Sequence, residues 1–143
     1  MISSNSAYLA NLAWIDKLKA EPPDAQEGAS LLRSAAVRLQ DARQSILSLE
    51  SRFDLAYNAA HAAALSALRM HGYRSENRYL VFQCLEHTVG YTPQQWLLLD
   101  QAYKKRNLAE YDGDLDVTQG FVEELIDSAA ALIAAAQALQ AAP

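Results

Sequence analysis

The chain has 143 residues, enough for one domain with a buried core. Hydrophobic residues make up 51% of it, many of them alanine, while glycine and proline are scarce with five and four copies. This composition favours helices that pack closely through small side chains and disfavours a sheet protein. Because the net charge is −5, the chain has no general basic field, and any contact with nucleic acid has to be local.

Several common kinds of site and location are excluded by simple patterns. Cys84 is the only cysteine, so an internal disulfide cannot form. The first 20 residues have neither a basic start nor a continuous apolar run, and no apolar stretch reaches the roughly 20 residues that span a bilayer. We therefore expect a cytoplasmic protein with no membrane contact. The three histidines are scattered and no Gly-rich phosphate loop is present, so we expect no metal and no cofactor.

Three helices are predicted in the first half of the chain. The first covers residues 4–20 and ends at a Pro-Pro pair, which cannot continue a helix. The second covers residues 24–50 and the third residues 51–71, with Gly72 as its stop. The expected inward stripe of the second helix is Leu32, Ala35 or Ala36, Leu39, Ala42 or Arg43, Ile46 and Leu49. That of the third is Phe53, Tyr57, Ala60, Ala64, Leu68 and His71.

Three more helices are predicted in the second half. A short one covers residues 76–88. The next begins at Thr92, which can cap the helix and which forms a capping box with Gln95 three residues on, while Pro93 suits the first helical position. The last covers residues 116–141, with the apolar stripe Val122, Leu125, Ala129, Leu132, Ala136 and Leu139.

Together these segments predict an all-α, single-domain antiparallel bundle of about five to six helices. Residues 1–23 are expected to form an N-terminal helix, closed by the Pro-Pro break, that packs on a bundle of residues 24–143. Neither an internal repeat nor a long linker divides the chain.

Arg106 is the residue that raises the question of a site. The apolar stripe of the fifth predicted helix runs through Trp96, Leu99 and Tyr103, and its next member is Arg106. A buried guanidinium needs acceptors. One interpretation is that Arg106 pairs within its own chain, with helix carbonyls, with a carboxylate across the bundle, or with the downstream aspartates Asp112, Asp114 and Asp116. The other is that it faces a groove or a second subunit and binds phosphate.

The stretch RNLAEYDG, residues 106–113, resembles the signature of HEPN-domain proteins, small all-α domains of prokaryotic toxin–antitoxin and defence systems. That signature is an arginine, a polar residue and, after four to six intervening residues, a histidine. Arg106 and Asn107 match the first two positions, and Tyr111 stands in place of the histidine. The upstream stretch FDLAYNAAHAAALSALRMHGYR is similar to a helix of the same family. The resemblance covers roughly residues 50–140.

The resemblance implies a metal-independent endoribonuclease fold whose motifs meet across a homodimer cleft. It implies that Arg106 stabilises the phosphorane charge and that Asn107 orients the phosphate. Tyr111 has a reference pKa near 10 and is a poor base at neutral pH, which makes RNA cleavage doubtful without removing RNA binding. The family also implies a small nucleotidyltransferase as partner, with Tyr111 as the candidate acceptor of a nucleotidyl group.

A second polar edge is formed by Asp54, Asn58 and His61, spaced at i, i+4 and i+7 on the third predicted helix. This edge can join Arg106 across the bundle as a supporting group. The alternative is that Asp54 and Asn58 satisfy local backbone groups while His61 is a partly buried packing residue. Arg69, Arg74 and Arg78 are interpreted as a solvated turn or a small basic patch, and Tyr57 as a core aromatic.

Two functions follow from these residues. The first is a HEPN-like component of a toxin–antitoxin or defence module that binds RNA through Arg106, Asn107 and Tyr111, with cleavage of RNA by the same residues as a further expectation. The second is a non-catalytic, dimerising helical interaction module, for example the partner of a small nucleotidyltransferase. The net negative charge and the missing histidine favour the second.

Overall fold

The computed structural model describes residues 4–142 and has seven helices in that range. They are α1 (Ser4–Trp14), α2 (Ala25–Ala42), α3 (Leu49–Met70), α4 (Arg78–Gln83), α5 (Leu85–Thr88), α6 (Pro93–Asp112) and α7 (Gln119–Ala141). A two-stranded antiparallel sheet pairs β1 (Lys19–Ala20) with β2 (Tyr73–Arg74). The prediction of an all-α helical bundle is confirmed. Helices α4 and α5 adjoin at Cys84 and take the place of one predicted helix. Residues 1–3 and 143, which belong to the predicted units 1–23 and 24–143, lie outside the described residues.

The centre of the bundle is made by α2, α3 and α7, which pack against one another. The side chain of Ser66 on α3 donates a hydrogen bond of 3.0 Å to the carbonyl oxygen of Gly28 on α2. A Cβ atom added at Gly28 would come within 3.3 Å of the sulfur of Met70, so the two helices approach closely at this position. Small residues on both helices make this approach possible.

The predicted apolar stripes of the three central helices largely form the core. On α2, Leu32, Ala35, Leu39 and Ala42 are buried. On α3 the buried stripe contains Phe53, Tyr57, Ala60, Ala64 and Leu68. On α7 it contains Val122, Leu125, Ala129, Leu132 and Ala136. The 3.6-residue period of the sequence therefore located most of the core correctly.

The first predicted helix is too long by six residues. The observed helix α1 ends at Trp14. The backbone amides of Lys17 and Leu18 both donate to the carbonyl of Leu12, which closes a turn. This turn buries Leu18 in the core and lets residues 19–20 pair with β2 instead of continuing the helix. Burial of Leu18 and the pairing of the two strands stabilise the fold more than a continuation of the helix would.

The second predicted helix was also too long, because residues 43–48 form a turn between α2 and α3. Arg52 of α3 donates from its Nε to the carbonyl of Ala42 at 2.8 Å, and Ser48 caps the start of α3. Ile46, expected in the apolar stripe, is 92% exposed. The helix breaks here because reversal of the chain lets α3 cover the apolar face of α2, and no glycine or proline marks the turn.

A buried arginine fastens the two-stranded sheet to the end of α3. Arg69 is 1% exposed, and its guanidinium forms an ion pair with Glu27 and another of 3.3 Å with Glu21. It also donates to the backbone carbonyls of Glu21 at 3.0 Å and Pro22 at 2.8 Å. The guanidinium is thus fully satisfied by its own chain, which offsets the cost of burying its charge.

Helix α6 begins as the sequence predicts. The Thr92 hydroxyl accepts a hydrogen bond from the amide of Gln95, and the Gln95 side chain accepts one from the amide of Thr92. Trp96 and Leu99 are buried, whereas Tyr103 and Arg106 lie half-buried farther along the same face. The helix ends at Gly113, whose φ of 81° is the left-handed conformation that favours glycine. This geometry brings Arg106 against α3.

Candidate functional site

Arg106 lies half-buried on α6, with 31% of its side chain exposed. The carbon at the centre of its guanidinium is 5.3 Å from the centroid of the Tyr57 ring, within the range of a cation–π contact. One terminal nitrogen contacts the exposed carboxylate of Glu110 at 3.5 Å. Its Nε atom is buried and has no hydrogen-bond partner in the described chain. The guanidinium is therefore held in place by the ring while most of its donor capacity stays unused.

A second guanidinium lies over the same ring. Arg78 is the first residue of α4, and its guanidinium carbon is 5.5 Å from the Tyr57 centroid. It donates a hydrogen bond of 2.9 Å to the side-chain oxygen of Asn58. No carboxylate among residues 4–142 comes within ion-pair distance of it. We call Arg78, Arg106 and the Tyr57 ring that both contact the paired guanidinium site.

Tyr57 provides the common surface of this site. It is 1% exposed, and burial raises the pKa of its phenol, although the nearby charges of Arg78 and Arg106 act in the opposite direction. The phenol is therefore neutral at pH 7, and its ring presents an intact π face to the cations. Edge-to-face contact with Phe82 at 5.8 Å and stacking with Phe53 at 6.0 Å fix the ring.

His61 lies one helical turn after Tyr57 on α3. Its ring meets the Phe82 ring edge-on at 5.9 Å, and its Nε2 atom is buried without a hydrogen-bond partner in the described part of the chain. Burial, reinforced by the charges of Arg78 and Arg106, lowers the pKa of His61 to about 4. The imidazole is consequently neutral at physiological pH and adds no positive charge to the site.

An acidic cleft borders the paired guanidinium site on one side. Its volume is ≈ 220 Å³, and it lies between the start of α3 and the end of α6. Its lining residues are Glu50, Asp54, Arg106, Ala109, Glu110, Gly113 and Leu115. Three carboxylates surround one guanidinium there, so the cleft itself repels phosphate.

The structure brings the predicted supporting edge to Arg106. Asp54 lines the cleft that Arg106 also lines, Asn58 accepts the hydrogen bond from Arg78, and the charges of both arginines act on His61. The Asn58 amide also donates to the carbonyl of Asp54 at 2.8 Å, so part of this edge serves its own helix. A supporting role of these residues in a reaction stays a prediction.

The two other residues of the motif point elsewhere. Asn107 is exposed, and Tyr111 is 93% exposed. Five residues along an α-helix correspond to a rotation of about 140°, which separates Tyr111 from the face of Arg106. Within one chain the motif residues Arg106, Asn107 and Tyr111 therefore do not converge on one point. Their catalytic roles stay a prediction.

Nor does Arg106 pair with the aspartates that follow it. Among the described residues none of Asp112, Asp114 and Asp116 lies within ion-pair distance of its guanidinium, and the nearest acidic contact is Glu110 one turn along α6. Lys105, its neighbour, instead donates to the backbone carbonyl of Asp116 at 3.1 Å. Of the interpretations that the sequence left open, pairing with these aspartates is thus absent from the structure.

Sequence reasoning missed the partners of Arg106. The prediction of Tyr57 as a core aromatic is confirmed at 1% exposure, but its contacts with the two arginines were not predicted. Arg78 was interpreted as part of a turn, whereas it is the first residue of α4. The residues sit on three different helices, and no spacing in the sequence relates α3, α4 and α6. The only local signal was Asn77, which caps α4 and thereby fixes where Arg78 emerges.

Searches for other kinds of site and for relatives gave negative results. Among residues 4–142, no group of three or more His, Cys, Asp or Glu side chains is arranged to hold a metal ion. No helix in that part of the chain has the length and apolar character needed to cross a membrane. Comparison with family models, with curated proteins and with solved structures returned no match.

Proposed function

We propose that this protein is a HEPN-like component of a toxin–antitoxin or defence module and that it binds RNA phosphate at the paired guanidinium site. The supporting observation is that Arg78 and Arg106 lie 5.5 and 5.3 Å from one tyrosine ring. Among residues 4–142 no carboxylate lies within ion-pair distance of Arg78, and the ion pair of Arg106 is with the exposed Glu110 at 3.5 Å. Planar guanidiniums with unused donors are the groups that bind phosphate best.

The residues at the site favour RNA binding without efficient RNA cleavage. A general base works best when its pKa is near the operating pH. The pKa of His61, about 4, is too low, and its Nε2 atom is buried. Tyr111 lies on a different face of α6 from Arg106. We therefore expect RNA to be held and not appreciably hydrolysed by one chain.

The direct test is RNA binding by arginine variants. We expect Arg106→Ala and Arg78→Ala each to weaken the affinity for a fluorescently labelled single-stranded RNA about tenfold, because each removes a charge-assisted contact to phosphate. Arg106→Lys should fall between the wild type and alanine, since it keeps the charge and loses the planar fork. Fluorescence anisotropy gives the Kd, and gel electrophoresis of the same RNA detects any cleavage.

The matched control is Arg33→Ala, which removes an exposed arginine on α2 that bonds only to Ser30 in the described structure. It should leave the Kd unchanged. Melting temperatures from circular dichroism separate a binding defect from a folding defect. RNA affinity that is equal in the wild type and in both alanine variants would contradict the proposal. So would a loss of affinity that only follows a lowered melting temperature.

The proposed partner is a small nucleotidyltransferase that modifies Tyr111. In that reaction the Tyr111 oxygen forms a bond to the α-phosphorus of a nucleoside triphosphate, pyrophosphate leaves, and the phenol proton passes to a base of the partner. The 93% exposure of Tyr111 supports this assignment, because an acceptor has to enter the active site of another protein. Intact-mass spectrometry after co-expression should show one added nucleotidyl group, absent from Tyr111→Phe. An unmodified wild-type mass would count against it.

A second candidate function is a non-catalytic dimerising module. It is favoured by exposed apolar residues on one face of α6, namely Leu97 at 49%, Leu108 at 60% and Tyr111 at 93% exposure. Leu97 and Leu108 are 11 residues apart, about three turns, and Tyr111 follows after three more, so all three lie on one side of the helix. Sedimentation analysis of the wild type and of Leu108→Glu distinguishes the cases. A dimer that this charge dissociates supports the module, whereas a monomer at all concentrations argues against it.

A further inference from the structure

A second cleft, distinct from the acidic one, lies where α4 meets the start of α6. Its volume is ≈ 200 Å³, and it is lined by Tyr79, Pro93, Trp96, Leu97 and Asp100. The rings of Tyr79 and Trp96 meet edge-on with centroids 5.8 Å apart. The Trp96 indole is fixed because its N–H donates to the carboxylate of Glu86 at 2.8 Å. Two ordered aromatic rings and two further apolar side chains thus form the walls.

This aromatic cleft is connected to the paired guanidinium site. Tyr79 contacts Tyr103 with centroids 5.6 Å apart. Tyr79 follows Arg78 directly, and Arg106 lies one turn beyond Tyr103 on α6. At 1.5 Å per residue, Asp100 and Arg106 are separated by about 9 Å along the helix. The two positions are also about 120° apart around α6, so a strand of nucleic acid that reaches both has to follow the surface around the helix.

One wall of the aromatic cleft carries an acceptor beside a donor. The Asp100 side chain is 16% exposed, and one of its carboxylate oxygens accepts a hydrogen bond of 3.1 Å from the ammonium of Lys104. Its other oxygen is buried and has no partner among residues 4–142. Asp100 lines the cleft, and because the carboxylate torsion of aspartate is broad, rotation can exchange the positions of its two oxygens. Lys104 is 70% exposed and remains free to contact a neighbouring acceptor.

We infer that the aromatic cleft is a nucleobase site selective for guanine, and this inference rests on the proposed RNA-binding function. The base stacks against the Tyr79 ring, as bases do on aromatic side chains of single-strand-binding proteins. Its two adjacent N–H donors, at N1 and N2, meet the Asp100 carboxylate, and its O6 accepts from the Lys104 ammonium. Guanine presents two adjacent donors next to an acceptor, which is the pattern that complements this wall.

Size and charge favour a flat neutral ring over other occupants. A volume of ≈ 200 Å³ is below the usual range for drug-sized ligands and suits a single planar group. A cationic ligand would bring a second positive charge to a carboxylate that Lys104 already neutralises. A neutral base with N–H donors satisfies the free oxygen without that repulsion.

The test uses guanosine, which carries no phosphate, so that the base site is measured apart from the guanidiniums. Trp96 reports binding by fluorescence in a Trp14→Phe background, because Trp14 is 86% exposed and would add unrelated emission. We expect saturable quenching by millimolar guanosine and weaker responses to adenosine, cytidine and uridine. Asp100→Asn should weaken guanosine binding about tenfold, as expected when a bidentate base contact is lost. Asp127→Asn, an exposed aspartate on α7, should have no effect.

Aromatic stacking is tested at Tyr79. Tyr79→Ala should abolish quenching, and Tyr79→Phe should retain it, since only the ring is needed. Melting temperatures identify any variant that is merely unfolded, and Asp100→Asn keeps the shape of the side chain if Tyr79→Ala does not fold. Equal responses to all four nucleosides, or none at all, would overturn the guanine site.

The two proposals fail in different ways. If labelled RNA binds and depends on Arg106 while guanosine produces no quenching, the base site is wrong and the phosphate site stands. If guanosine binds through Asp100 but Arg106→Ala leaves RNA affinity unchanged, the base site stands and the proposed phosphate site is wrong.

Discussion

Arg69 and Arg106 both carry a guanidinium into the bundle, and their surroundings differ. Arg69 is 1% exposed and is satisfied by Glu27, by Glu21 and by backbone carbonyls. Arg106 has 31% of its side chain exposed, one 3.5 Å contact to Glu110, and an Nε without a partner in the described chain. The first arrangement consumes the donors of the arginine and the second leaves them available. Arg106 is for this reason the better candidate for binding a ligand.

The Arg69 network predicts a stability loss in Glu27→Gln. Hydrogen bonds from Arg69 and Arg74 lower the pKa of Glu27, so the carboxylate contributes stability above pH 4.5, its ordinary value, and loses it as the pH falls through the lowered value. We expect a decrease of about 2 kcal/mol at pH 7, typical of a hydrogen bond to a charged group. Urea unfolding at pH 7 measures it.

Acidification supplies the check on this assignment. Wild type and Glu27→Gln should converge in stability at low pH, where the wild-type carboxyl is protonated. Glu124→Gln, an exposed position on α7, is the control and should match the wild type at every pH. A gap between wild type and Glu27→Gln that stays constant down to pH 3 would mean that packing, and not charge, is responsible.

The lowered pKa of His61 predicts that the stability of the fold also depends on pH, in a higher range than for Glu27. Its pKa falls from 6.5 in the unfolded chain to about 4 in the fold, so the unfolded state binds more protons between these values. Its contribution to stability is complete above pH 6.5 and is lost as the pH falls towards 4. From pH 7 to pH 5 the wild type should lose about 2 kcal/mol through this group. In His61→Leu, denaturant unfolding should show a loss smaller by about that amount; equal losses would show that His61 is protonated in the fold.

At the level of helices, the packing of α2, α3 and α7 depends on alanine. Ala56, Ala59, Ala60, Ala63, Ala64 and Ala67 on α3 are all completely buried. Helices with such faces lie close together, as the contact at Gly28 shows. This proximity fixes the position of α3 and hence of Tyr57 and His61 at the site. Close packing of the central helices and geometry of the site are therefore linked.

Ala63→Leu should disturb that packing. Ala63 is completely buried, and three additional carbons have no space between adjacent helices. We expect a destabilisation of about 2 kcal/mol, within the usual range for overpacked cores. Ala134→Leu, at an exposed position on α7, should change stability little. Chemical denaturation of both variants measures the difference, and an unchanged Ala63→Leu would show that the helices separate easily.

At the level of the whole molecule, the net charge of −5 limits how RNA can bind. Binding can rely only on a few local cations, because the average field repels phosphate. A proposed site with two guanidiniums should accordingly show a weak dependence on salt. The protein should differ in this respect from basic RNA-binding domains, whose affinity falls steeply as salt rises.

Salt titration makes this expectation quantitative. Each phosphate contact to a single strand contributes a slope of about −0.7 to a plot of log K against log salt concentration. The wild type should give a slope of about −1.4 and Arg106→Ala a slope of about −0.7, if each guanidinium meets one phosphate. A slope several times steeper would place the RNA on a broader basic surface, and one near zero would exclude phosphate contact.

The sequence by itself determined the helical class, most of the core stripes and the capping box of α6. These features follow from local chemistry, since periodicity decides which face is buried and side chains near a helix end decide where it begins. The sequence also singled out Arg106 and the polar edge of Asp54, Asn58 and His61. It did not locate the ends of α1 and α2, because burial of Leu18 and the reversal at residues 43–48 depend on contacts with distant segments.

Only the tertiary structure decided what surrounds Arg106. The ring of Tyr57, the second guanidinium of Arg78 and the separation from Tyr111 all result from how α3, α4 and α6 pack. Helical spacing relates residues three or four positions apart and carries no information on which helices meet. The use of a buried cation depends on the partners that distant segments bring to it, and those partners are fixed by packing between helices.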